Sequence, residues 1–298
     1  MLAMNFSLAS LWLLSALTWA SPGRNVFPFG QSKYVCPFLG GGIIDIAQED
    51  SSAAAATPAV QTASAEFNVP WIKAPNGNLS DPHNQHSLAQ WVGILGNACE
   101  RQDWFPFLQA GTAVSLDENG TSTVAAWVEW FPAAAHFLAS ENMTVSPGDQ
   151  MQVTIDVYTR ITGHVNMKNL NTGQEYDADV QADSPDQPNF QICLGNGTAQ
   201  FFQEWAIAGD RGDVPVFNNV TFSGVRALSR GGEYFDLGTG TQDYWNMTDS
   251  DRDVSIPEQL GKDKFVIYSP QGLTWVPPEV HDNGIPNPPI PQGRIEGA

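Results

Sequence analysis

Gln150-Met151-Gln152-Val153-Thr154-Ile155-Asp156-Val157-Tyr158 is the stretch that decides the fold. Met151, Val153, Ile155 and Val157 alternate with Gln152, Thr154 and Asp156. Successive side chains of a strand point to opposite sides of the pleat, so this pattern suits a strand with one face on a core and one in water. Gly163 interrupts it, and His164 to Lys168 then alternates again with Val165 and Met167 inward. Asn171-Thr172-Gly173 reads as a turn between strands. Working outward, Val124 to Phe131 is a further strand, dense in aromatics, and residues 87–225 read as strands punctuated by turns. Residues 46–66, rich in Ala, Ser and Thr, read as loop or edge structure. There is no long amphipathic helical pattern and no internal repeat. Many short strands at regular spacing predict an all-β fold, an antiparallel β-sandwich.

Composition agrees with a folded chain and narrows its partners. The 298 residues carry 13 Lys+Arg against 32 Asp+Glu, a net charge of −19, yet only 15% of residues are charged. With 42% hydrophobic residues, including 10 Trp and 16 Phe, there is material for a large core. So acidic a balance argues against nucleic acid, whose phosphates need clustered Lys and Arg, and against an anionic membrane surface. A monomer acting on other molecules is expected.

Residues 1–20 read as a secretory signal peptide: Leu11 to Leu17 form its apolar centre, and Thr18-Trp19-Ala20 presents small residues at the cleavage positions. That apolar run is too short to span a bilayer, which takes about 20 residues. Asn-x-Ser/Thr sequons at Asn78, Asn119, Asn142, Asn196, Asn219 and Asn246 agree with a secreted, glycosylated, extracellular protein. Of the three cysteines, Cys36, Cys99 and Cys193, an oxidising compartment is expected to join one pair. Five scattered His without metal-ligand spacing predict no metal and no cofactor. The organisation expected is a signal peptide (1–20), a short N-terminal segment (21–38), a β-sandwich (39–275) and a Pro-rich tail (276–298) that cannot form regular ladders.

Nucleophile elbows, paired aspartic-protease motifs, phosphate loops and dinucleotide fingerprints are all missing from the sequence. What remains are polar residues set among aromatics: Gln109, Glu129 and Glu204. Trp127, Glu129 and Phe131 lie two apart and share a face. A carboxylate among aromatics is costly to bury unless a groove or a hydrogen bond accommodates it, so several of them suggest a polar groove. Trp91, Trp127, Glu129, Phe131 and Gln200 are its expected lining.

The ordered series Gln90-Trp91-Val92-Gly93-Ile94-Leu95-Gly96, Leu108-Gln109-Ala110-Gly111, Ala126-Trp127-Val128-Glu129-Trp130-Phe131-Pro132, Val145-Ser146-Pro147-Gly148-Asp149, Asn169-Leu170-Asn171-Thr172-Gly173-Gln174 and Phe217-Asn218-Asn219-Val220-Thr221-Phe222 resembles the fungal glutamic peptidases (eqolisins, peptidase family G1). The resemblance covers roughly residues 40–270. It implies a sandwich of two bent antiparallel sheets, similar to the concanavalin-like lectins, and a secreted endopeptidase acting on proteins or peptides at acid pH. It also implies a Cys99–Cys193 disulfide. The family's catalytic glutamine falls on Gln109. Its glutamate ends an Ala-Glu-aromatic-aliphatic-aliphatic-Glu strand, and two registers compete. Ala199 to Glu204 fits with Glu204 catalytic and Gln200 replacing the earlier Glu, or Glu204-Trp205 fits the earlier Glu-Trp and the catalytic position falls on Ala208. The sequence departs from the family at Leu95, Ala113 and Phe131. In the mechanism implied, ionised Glu204 takes a proton from water, the water attacks the scissile carbonyl, and Gln109 donates to the oxyanion. The alternative expectation is an inactive relative that binds peptide or glycan in the same groove.

Overall fold

In the computed structural model the described residues are 25–26, 32–36, 39–46, 60–75, 86–98, 106–205, 214–239, 241–249 and 252–270. They form strands β1 (Leu39–Asp45), β2 (Val60–Asn68), β3 (Ser87–Ala98), β4 (Phe107–Leu116), β5 (Ser122–Phe131), β6 (Gln150–Val157) and β7 (Thr162–Asn169). They continue with β8 (Glu175–Gln181), β9 (Ile192–Glu204), β10 (Val220–Ser229), β11 (Thr241–Asp249), β12 (Arg252–Gln259) and β13 (Phe265–Tyr268). The helical content among the described residues is a single turn, Pro188–Phe190.

Two sheets result. The first runs β5–β4–β3–β9–β1–β11, antiparallel throughout, with the short strand Ser32–Cys36 added in parallel to β11. The second runs β8–β7–β6–β2–β10–β13–β12. The hairpin β11–β12 pairs across from one sheet to the other and joins them at an edge. The fold class is the one the alternation predicts.

The core lies between the sheets. Met151, Val153, Ile155 and Val157 of β6 are fully buried, as are Val165 and Met167 of β7. Burying each such side chain is worth ~1.5–3 kcal/mol, so β6 alone is a major tie to the core. Phe67, Phe222 and Phe265 stand in one row across β2, β10 and β13, with ring centroids 5.4 Å and 4.9 Å apart. The turn before β6 is tied down by backbone bonds between Val69 and Gly148–Asp149, while buried Asn169 donates to Asp149 at 2.7 Å. Gly148 takes φ +93° there, a conformation open to glycine at no steric cost.

Some expectations change. Residues 60–66, read as loop or edge, belong to β2, a central strand between β6 and β10. Ala63, Ser64 and Ala65 are buried there, and their low strand propensity conceals a position set by neighbours on both sides. Strands also extend beyond 87–225 at both ends, as β1, β2, β11, β12 and β13. Asn246 is buried and its amide donates to Asp253 at 3.0 Å. Asn119, Asn142 and Asn219 are exposed. Asn78, Cys99, the signal segment, the Pro-rich tail and the side chains of Cys36, Cys193 and Asn196 lie outside the described residues.

Candidate active site

The register of the first sheet decides which candidate residues meet. Gln109 on β4 lies opposite Glu129 on β5 and Gly93 on β3, and Gly93 lies opposite Gln200 on β9. One row across the sheet therefore reads Glu129, Gln109, Gly93, Gln200. The next reads Trp127, Gly111, Trp91, Phe202, and the one beyond it Ala125, Ala113, Ala89, Glu204. Rows two residues apart share a face, so all of these side chains stand on one side of the sheet. It is the side away from the inter-sheet core, and its buried apolar residues form a cluster of their own.

An aromatic band crosses this face. Phe131 stacks on Phe107 at 4.9 Å, Phe107 on Trp91 at 6.0 Å, Trp91 meets Phe202 at 5.2 Å, and Phe202 meets the edge of Trp245 at 5.7 Å. Phe107, Phe202 and Trp245 were not among the sequence candidates. Each stands on a different strand from Trp127, and its place in the band is known only once the strands are paired.

Polar groups are set into the band. Gln109 Nε2 donates to Glu129 Oε2 at 2.5 Å, with Gln109 only 1% exposed and Glu129 4%. Trp91 Nε1 donates to Glu204 Oε2 at 3.2 Å, and Glu204 is half-buried. The indole spans the gap between the two. A Cβ on Gly93 would lie 2.9 Å from Trp91 Cζ3 and 3.3 Å from Gln109 Cβ, so one end of the ring covers the glycine beside Gln109 while its N–H reaches Glu204. Only glycine permits that close approach. Gln200 is buried, its amide directed to Thr198 Oγ1 at 3.4 Å.

Burial dominates the electrostatics. It pushes Glu129 up to about 8; the Gln109 N–H opposes the rise and the charge of Glu204 adds to it. Burial likewise pushes Glu204 up to about 7, against the stabilising N–H of Trp91. The charge of Glu204 thus acts on Glu129 across the face, and together with burial it favours one negative charge in the site over two. Such an arrangement can move a proton through Glu204 and donate hydrogen bonds through Gln109. Among the described residues no three His, Cys, Asp or Glu are grouped to hold a metal ion. Ala208, the alternative catalytic position, lies outside the described residues.

Residues 51–268 match the model of the Peptidase A4 family. The chain belongs to the peptidase A4 family. This A4 chain is 28% identical to aspergillopepsin-2 of Aspergillus niger over 187 residues, 56% of the chain and 59% of that relative. It is 28% identical to scytalidopepsin B of Scytalidium lignicola over 147 residues, 46% of the chain and 50% of that relative. The A4 chain thus matches between half and three fifths of the length of these curated relatives. Solved structures agree on the fold. Scytalido-glutamic peptidase with a transition state analog inhibitor aligns with TM-score 0.58 at 21% identity, over 79% of this chain and 99% of that one. Aspergilloglutamic peptidase from Aspergillus niger aligns with TM-score 0.50 at 24% identity, over 62% and 99%.

Proposed function

We propose that the protein is a secreted endopeptidase that hydrolyses peptide bonds on the Trp91–Gln109–Glu204 face. The observation that carries this reading is the placement of an uncharged amide donor and a carboxyl with a raised pKa at the two ends of one indole. Glu204, once ionised, takes a proton from a water lying over Trp91. The resulting hydroxide adds to the scissile carbonyl carbon. The side-chain amide of Gln109 donates an N–H to the oxyanion, a role worth ~2.7–4 kcal/mol where a comparable donor has been removed. Glu204 then returns its proton to the leaving amine as the C–N bond breaks. Because Gln109 is almost wholly covered, a peptide reaches its amide only when aromatic side chains of the band shift aside.

The pH range follows from the base. Glu204 must be ionised to start the cycle, and below its raised value each pH unit removes about nine tenths of the charged form. Activity therefore climbs through the weakly acid range instead of levelling at the ordinary glutamate value, a narrowing of the acid action that the family resemblance implies. One observation favours a second reading, binding without hydrolysis: the groups nearest Gln109 in its own row are Glu129, Gly93 and Gln200, whose only carboxyl is the one held neutral.

One experiment separates the two. The secreted protein is incubated with unfolded casein from about pH 3 to 8, with pepstatin present, and compared with Glu204→Gln. Pepstatin-resistant cleavage that is lost in the variant supports hydrolysis. No cleavage at any pH, with peptide still quenching the fluorescence of the tryptophan-rich face, supports the second reading.

A further inference from the structure

The bond between Gln109 and Glu129 leaves one atom without a partner. Gln109 Oε1 is buried and accepts no hydrogen bond among the described residues. A carbonyl oxygen can only accept, and an ionised carboxylate can only accept as well. If Glu129 were charged, its sole contribution to Gln109 would be to take an N–H, and Oε1 would stay orphaned in a site closed to water. A protonated Glu129 supplies the missing donor. The contact distance agrees: 2.5 Å is short for N–H···O, which runs ~2.7–3.2 Å, and lies within the ~2.5–3.0 Å range of O–H···O. Turning a glutamine amide by half a revolution exchanges its oxygen and nitrogen without changing its shape, so Oε1 can occupy the contact.

Resting on the hydrolytic reading of the same face, we infer that Glu129 is a positioning residue, kept as the carboxylic acid, whose O–H is given to Gln109 Oε1 and so turns the Gln109 N–H₂ towards the bound peptide. The surroundings favour the uncharged form. β4 and β3 present Gln109, Gly93, Gly111 and Trp91 beside Glu129, none of them charged, and β9 presents Glu204, whose negative charge opposes a second one. On the short strand His136–Phe137 it is Phe137 that pairs with Trp127 of the site face. His136 pairs with Val128, whose side chain lies on the opposite face of β5. Burial raises the carboxyl in the same direction.

The test uses Glu129→Gln and Glu129→Ala in the full chain. Glutamine keeps a donor and cannot ionise; alanine removes the donor. Expected are a kcat within about tenfold of wild type for Glu129→Gln and a loss of at least about a hundredfold for Glu129→Ala, with KM little changed in both. Ionisation of Glu129 should lower the wild-type kcat/KM at alkaline pH, and that fall should vanish in Glu129→Gln. Independently of turnover, the infrared spectrum near pH 6 should contain a protonated-carboxyl C=O band that Glu129→Gln lacks. An active wild type without that band difference, or a Glu129→Gln variant as impaired as Glu129→Ala, overturns the inference and leaves hydrolysis standing. A wild type that cleaves nothing overturns the hydrolytic reading, and the infrared difference then decides the protonation of Glu129 alone: its absence sinks the inference, its presence keeps the acid form.

Discussion

Folding stability of this protein should fall as pH rises, and Glu129 sets much of the fall. Its carboxyl has a value of 4.5 in the unfolded chain and about 8 when folded, because burial penalises the charge. Below about pH 4.5 it is protonated in both states and contributes no pH dependence. Between 4.5 and 8 the unfolded chain releases the proton while the folded chain keeps it, so stability declines by up to ~1.4 kcal/mol per pH unit. Across that window the loss amounts to about 5 kcal/mol, a large share of the ~5–15 kcal/mol that holds a typical domain folded. Glu204, at about 7, adds a decline of the same sign over a narrower window. The perturbation is Glu129→Gln, which removes the titration and keeps the shape. The assay is urea unfolding followed by tryptophan fluorescence at a series of pH values. Titrating groups that do not interact with Glu129 cancel in the difference between the two proteins. That difference should grow in favour of the variant from pH 4 to pH 8 by several kcal/mol. A difference that stays constant over this range would falsify the buried, uncharged Glu129.

Other perturbations probe the site and the core. Trp91→Phe removes the N–H that favours ionised Glu204, so the acid limb of kcat/KM should move to higher pH; an unmoved limb means that the indole N–H does not act on the base. Gly93→Ala places a Cβ 2.9 Å from Trp91 Cζ3 and should cost about 1–3 kcal/mol in chemical unfolding while lowering kcat further than stability explains. Phe222→Ala empties a fully buried position stacked on Phe265 and should cost about 3–5 kcal/mol with kcat unchanged in the remaining folded protein, measured by thermal unfolding and turnover together.

The fold was legible where one strand face meets water and the other the core. β6 and β7 show clean alternation, and every inward residue named from it is buried. Legibility failed at β2, whose small residues reflect close neighbours on both sides more than any local preference. The aromatic band was half visible. Trp127 and Phe131 stand out by their spacing, whereas Trp245 enters through the pairing of β11 with β1, a contact that no local pattern encodes. The relation of Gln109 to Glu129 was likewise hidden. Both residues were singled out, but that they lie directly opposite one another depends on the β4–β5 register. The burial that keeps Glu129 neutral depends on packing from several strands, which periodicity cannot report.

The central claim is that Gln109 and Glu204 act on one peptide bond. Its most direct test is a double-mutant comparison of kcat/KM for a peptide substrate among wild type, Gln109→Ala, Glu204→Gln and the pair, with folding checked by circular dichroism. The account predicts a loss of about 10²–10³ for Gln109→Ala, no measurable hydrolysis above background for Glu204→Gln, and no further loss in the pair. Wild-type turnover in Glu204→Gln, or in Gln109→Ala, would contradict it.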